Sequence, residues 1–67
     1  MSHYYVNRKA QPATGDHEVH KEGCIYFPSD NSYLGYYSSC AEAVVEAKKT
    51  YRRADGCKTC SPECHTS

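Results

Sequence analysis

The sequence predicts a small α+β fold: an antiparallel β-hairpin or three-stranded sheet, one helix in the C-terminal half, and a cysteine-rich tail. Three observations point there. Short runs of β-favouring residues, separated by turn formers, fill the first half of the chain. One strong helix signal follows, complete with start, body and stop. Five cysteines among 67 residues then stand where a larger protein would have a core.

The first strand is expected over residues 4–8, where Tyr4-Tyr5-Val6 favours extended backbone. Gln11-Pro12-Ala13-Thr14-Gly15-Asp16 is rich in turn formers and should reverse the chain. A second strand over 17–21 completes a hairpin. Cys24-Ile25-Tyr26-Phe27 is a short apolar run closed by Pro28, Ser29 to Ser32 is a turn, and a third strand is expected over 33–37. The helix is expected over about 40–53. Ser39-Cys40-Ala41-Glu42 fits a capping box, in which hydroxyl and carboxylate each satisfy an orphan amide. Ala41, Val44, Val45, Lys48 and Tyr51 form an apolar stripe, with the Lys48 stem lying along it. Glu42 and Glu46 come early and the bases late, complementing the helix dipole. Asp55-Gly56 supplies a stop, with Gly56 suited to a left-handed C-cap. The tail covers 57–67, and the whole chain, 1–67, reads as one small domain.

Composition limits what this domain can do. A chain this short buries only roughly 60% of the surface its unfolded form exposes. Trp is absent, Phe and Met occur once each, and seven tyrosines must supply most of the bulky apolar surface. A deep enclosed cleft is excluded, no small-molecule substrate is evident, and a staple is required. Eight basic and eight acidic residues give zero formal charge, which disfavours tight sequence-independent binding to nucleic acid. No apolar run reaches the length of a signal peptide or membrane span, so the chain as written is expected to be cytoplasmic and not membrane-bound. In a reducing compartment clustered cysteines read as metal ligands or redox thiols before disulfides, and an odd number cannot all pair.

Two short pairs carry the chemistry. His20-Lys21-Glu22-Gly23-Cys24 is H-x3-C, and Cys57-Lys58-Thr59-Cys60 is C-x2-C. A C-x2-C turn sets two sulfurs on one side, about right for two corners of a tetrahedron, and a His and a Cys leaving a strand supply the others. Zinc favours such a mixed nitrogen and sulfur set. One ion on His20, Cys24, Cys57 and Cys60 would tie the hairpin end to the helix end. By position alone His20 is equally a strand residue facing water; the spacing to Cys24 raises it to a ligand. The alternates are Cys64 and His65. A compact set of Cys57, Cys60, Cys64 and His65 ranks second, because it crowds four ligands into the tail and leaves the hairpin untied. Cys64 in place of His20 is intermediate. His17 lies on the opposite strand face from His20 and is expected to be solvated or bonded to backbone. Cys40 follows the N-cap, where thiol pKa falls, yet packing is the simpler role. A Cys40–Cys64 disulfide is possible in an oxidising compartment.

Val19-His20-x3-Cys24, then Tyr37-Ser38-Ser39-x2-Glu42-Ala43, then Cys57-Lys58-Thr59-Cys60, resembles the Ada-type zinc-binding domain of methylphosphotriester DNA repair, over residues 19–60. The whole chain also looks like a set of small bacterial proteins with a G-C-x-x-C-x-x-x-C-H tail. The resemblance implies a zinc fold. The position of the family's methyl-accepting, zinc-bound cysteine holds His20, so self-methylating repair is not implied, and the helix before the C-x2-C runs about two turns longer.

The expected function is a non-catalytic zinc module that meets a macromolecule, protein or single-stranded nucleic acid. Lys48, Lys49, Tyr51, Arg52 and Arg53 are the candidate surface: they form a basic cluster with a ring to stack, although a solvated helix end stabilised by its own dipole is the favoured reading of them. The alternatives are a thiol redox or metal-handling protein using Cys57-x2-Cys60, and a disulfide-stapled structural protein without metal.

Overall fold

A computed structural model describes residues 1–66. The elements run β1 (Ser2–Asn7), β2 (His17–Lys21), β3 (Asn31–Tyr37), α1 (Cys40–Lys48) and β4 (Ala54–Gly56), ending in a 3-10 turn, Pro62–Cys64. They build a four-stranded sheet in the order β3-β1-β2-β4 with the helix on one face, the α+β class that the sequence predicts. The first three strands match expectation closely and are antiparallel, with Val6 opposite Val19 and Tyr5 opposite both His20 and Tyr33. The hairpin turn closes where expected, the Gln11 carbonyl accepting from the Gly15 amide at 2.7 Å.

Two expectations fail at the helix end. The helix stops at Lys48, not near residue 53, and Ala54-Asp55-Gly56 becomes a fourth strand, parallel to β2. Gly56 is therefore extended chain rather than a left-handed cap. The reason is tertiary: the last carbonyl of the Tyr51–Arg53 turn accepts from the His17 amide at 2.8 Å, which docks the chain onto the open edge of β2. Helix propensity, worth tenths of a kcal/mol per residue, cannot hold the exposed last turn against sheet pairing. The cap differs too. Ser39 makes no side-chain cap bond; Glu42 instead accepts from the Ser38 hydroxyl at 2.5 Å and from its amide at 3.2 Å.

The helix is also rotated relative to the expected stripe. Its buried line is Cys40, Ala43 and Ala47, while Ala41 and Val45 face outward and Val44 is half-buried. Small side chains let the helix approach the sheet closely, over Tyr4, Val6 and Val19. Val6 and Val19 are fully buried, and each adds about 2 kcal/mol of transfer free energy. The partly buried Tyr37 packs at this core with its hydroxyl donating to the Leu34 carbonyl at 2.9 Å. No helix among the described residues is long and apolar enough to cross a membrane.

Candidate metal site

β2 alternates its side chains, sending Val19 to the helix side and His20 to the other. His20 is nonetheless only 1% exposed, because the loop after β2 and the tail after β4 fold over it. The loop turns at once: the Cys24 amide donates to the Lys21 carbonyl at 3.2 Å, and the Phe27 amide to the Cys24 carbonyl at 3.1 Å. From the other side β4 delivers Cys57, whose amide donates to the Val19 carbonyl at 2.9 Å. The tail then turns with Ser61 N–H on the Cys57 carbonyl at 2.8 Å, which returns Cys60 towards β2.

These turns bring together the four residues predicted from spacing. One ligand atom each from His20, Cys24, Cys57 and Cys60 lies within 4.8 Å of all the others. Cys24 Sγ and Cys57 Sγ are 3.9 Å apart, and Cys60 Sγ is 3.8 Å from His20 Nδ1. A tetrahedral ion with sulfur arms of about 2.3 Å has edges of about 3.8 Å, so the cluster could hold a metal ion with small adjustments. The surroundings suit that use. His20 Nε2 faces Glu18 Oε1 at 3.5 Å, two residues back on the same strand face, leaving Nδ1 for the cluster. The Lys21 amide donates to Cys60 Sγ at 3.2 Å, a contact that favours a thiolate.

Burial pushes the Cys60 thiol up to about 12, and it holds His20 below its ordinary value, the nearby Glu18 carboxylate opposing that. Both directions favour the uncharged forms of these two groups, a neutral imidazole beside a protonated Cys60 thiol. A cation supplies the charge that thiolates need in a buried place.

The alternates lie elsewhere. Cys64 is bonded to Cys40, the first residue of α1. Cys40 is thus a core residue and a disulfide partner at once, more than the packing role expected of it. Five cysteines divide into one disulfide and three thiols, all three in the cluster. His65 Nδ1 meets the Gly56 carbonyl at 3.1 Å and the Asp55 carboxylate at 3.3 Å. Asp55 also accepts from the Thr66 hydroxyl at 2.8 Å, so this group fastens the tail. His17 bonds backbone as expected, Nδ1 to the Asn7 carbonyl at 3.0 Å.

The basic cluster is not gathered into a free patch. Tyr51 is stacked on His17 with ring centroids 4.1 Å apart, Arg53 pairs with Asp16 at 3.2 Å, and Lys49 pairs with Glu46 at 3.0 Å. Lys48 and Arg52 are exposed. Two features went unread in the sequence. Glu18 was detectable, since a carboxylate two residues before a strand histidine shares its face. The ring array on the outer face of the sheet was not, because it joins three separate segments. Comparison with protein-family models, curated proteins and solved structures finds no match.

Proposed function

We propose that this chain is a non-catalytic module stapled by one zinc ion on His20, Cys24, Cys57 and Cys60, and that it serves to bind another macromolecule. The carrying observation is the convergence of four ligand atoms within 4.8 Å, drawn from both ends of the chain. Three sulfurs and one imidazole are a donor set that zinc favours, and four protein ligands leave no open position for substrate. Zinc would supply folding free energy to a chain whose buried core holds two valines, three alanines, a tyrosine and a cysteine. Likeness to the Ada-type zinc domain belongs to this proposal without its methyl-acceptor activity. Native mass spectrometry with zinc analysis tests it: one equivalent per chain is expected, lost in Cys57→Ser and Cys60→Ser but kept in His65→Ala. A chain that stays metal-free after refolding with zinc refutes it.

A redox dithiol is the second reading, favoured by the disulfide beside the cluster. It requires a reactive thiolate without metal. A thiol pushed up to about 12 leaves on the order of one part in 10⁵ ionised at neutral pH, so Cys60 is a poor nucleophile in that state.

A further inference from the structure

The outer face of the sheet carries a run of rings, Tyr36, His3, Tyr33, Tyr5 and Phe27, with successive centroid separations of 4.6, 5.6, 5.2 and 4.9 Å. Where the run ends, a depression of about 400 Å³ opens, lined by Tyr5, Glu22, Gly23, Cys24 and Phe27. One thiol of the cluster therefore borders an open space. Cys24 is half-buried there, whereas Cys57, its neighbour at 3.9 Å between sulfurs, is 3% exposed. The two are also held differently. The Cys57 amide is fixed on β2 by its bond to the Val19 carbonyl at 2.9 Å. Cys24 rides on the loop after β2, and its backbone bonds, to Lys21 and Phe27, stay within that loop. Beside it Gly23 has a φ of 88°, and nothing lies within 4 Å of where a Cβ would stand, so the loop has room to shift. Sulfurs must close to about 2.05 Å to bond, and that room supplies the movement. Cys60 is engaged elsewhere: its Sγ accepts from the Lys21 amide at 3.2 Å and lies 3.8 Å from His20 Nδ1. Cys40 and Cys64 are already joined, so this fold exists with part of its sulfur oxidised.

We propose that Cys24 and Cys57 are a redox pair, which hydrogen peroxide closes to a disulfide and which cannot hold the metal ion once closed. The Cys24 sulfur attacks one peroxide oxygen, the O–O bond breaks, water leaves, and Cys24 becomes a sulfenic acid. The Cys57 sulfur then attacks the Cys24 sulfur, an S–S bond forms, the S–O bond breaks, and a second water leaves. Two thiols have lost two electrons and two protons, and the peroxide has gained them. The Glu22 carboxylate on the wall of the depression favours a small neutral oxidant over an anionic one such as glutathione disulfide. Closure consumes two of the four ligand atoms and leaves His20 and Cys60, too few for a closed tetrahedral site. It joins the same two segments that the ion would tie. The pair stands on the geometry of the thiols, while the loss of the ion rests on the metal reading proposed above.

The test treats the full chain, loaded with zinc and free of reductant, with stoichiometric hydrogen peroxide beside a chromogenic zinc indicator. The remaining thiols are alkylated with N-ethylmaleimide in urea, and the chain is mapped by digestion without reduction. Expected is the loss of about one zinc per chain, with Cys24 joined to Cys57 and the maleimide on Cys60. Dimedone present during the oxidation should be found on Cys24, the attacking sulfur. Native chain suffices for every arm, so no variant has to fold. A Cys57–Cys60 bond overturns the proposal, as does dimedone confined to Cys57 or Cys60. Faster zinc loss with glutathione disulfide than with peroxide overturns the choice of oxidant. A chain that closes this pair without ever having held zinc refutes the metal reading and supports this one. A zinc-loaded chain whose Cys24 still takes maleimide after excess peroxide refutes this one alone.

Discussion

The two edges of the sheet are held by different physics. On the β3 side six residues of β1 pair with β3, and the sheet rests on Tyr4, Val6 and Tyr37 with ordinary backbone and apolar contacts. On the β4 side the strand has three residues and no large side chain of its own. Besides its short backbone pairing with β2, it is tied by the Cys40–Cys64 disulfide and by the Asp55 carboxylate on Thr66, and it leads into two of the four residues that could hold a metal ion. Where the chain has apolar residues to bury it packs, and where it lacks them it uses sulfur and one buried acid. Small domains that cannot fill a core resort to such staples. Here that choice is made separately at each edge.

Metal removal should expose the difference most strongly. A strong chelator under anaerobic, reductant-free conditions, which leave the Cys40–Cys64 disulfide closed, is expected to abolish helical signal and amide dispersion together, since structural zinc contributes on the order of 10 kcal/mol in small domains. Surviving dispersion at residues 54–66 after complete zinc loss would break the comparison at its stapled edge.

Next in size is the disulfide. Cys64→Ser opens a link across 24 residues of separation and should cost about 3 kcal/mol in urea denaturation, with the β4 side melting first. Equal loss of amide protection in β3 would show the two edges to be one cooperative unit.

The two edges also contain a matched pair of glycines. At Gly56 a Cβ would lie 2.6 Å from the Cys64 Cβ and 2.7 Å from the Ser61 carbonyl, neither of which can yield. Gly56→Ala should therefore cost about 2–3 kcal/mol and weaken zinc binding through the displaced tail. At Gly35 the φ of 140° disfavours any L side chain, and the near atoms belong to the far end of the Tyr37 ring, 2.8 Å away, which moves aside only by giving up its hydroxyl bond to the Leu34 carbonyl. Gly35→Ala should cost about 1–2 kcal/mol and leave zinc affinity alone. Thermal melts with and without zinc separate the two outcomes.

Smaller effects concern the cluster itself. Zinc uptake should release protons. The Cys60 thiol, pushed up to about 12, is fully protonated in the metal-free chain at neutral pH and must give up its proton on binding. Affinity therefore falls as pH falls, by about tenfold per unit for each whole proton released. His20, held below 6.5, is already neutral at pH 7 and adds no proton there, so its protonation steepens the loss only in acid. Calorimetry in buffers of different ionisation enthalpy counts these protons, and a pH-independent affinity would contradict the assignment. Glu18→Gln should lower zinc affinity about tenfold with the fold intact, because the carboxylate only orients the imidazole.

Much of the molecule follows from local patterns. The hairpin, the third strand and the helix start are set by short-range propensities and turn residues, which act within a few positions. The four clustered residues were legible for a similar reason: each pair sits within a few residues, and only one pairing of the two short motifs ties both ends of the chain. What local signals could not specify was decided by contacts distant in sequence. Residues 49–53 read as helix by composition and Asp55-Gly56 as its stop, and only the vacant edge of β2 ends the helix early and turns residues 54–56 into β4. The burial of Cys40, Ala43 and Ala47 in place of the longer aliphatic stripe reflects how closely the sheet lies. Whether Cys64 joins the cluster or Cys40 depends on the tail folding back over Gly56, a close approach allowed by the missing Cβ there. The outer ring array likewise exists only once β1, β3 and the loop after β2 are side by side. Residue chemistry and spacing determined what the ends of this chain could bind, whereas burial and strand pairing, which couple residues tens of positions apart, determined which of them meet.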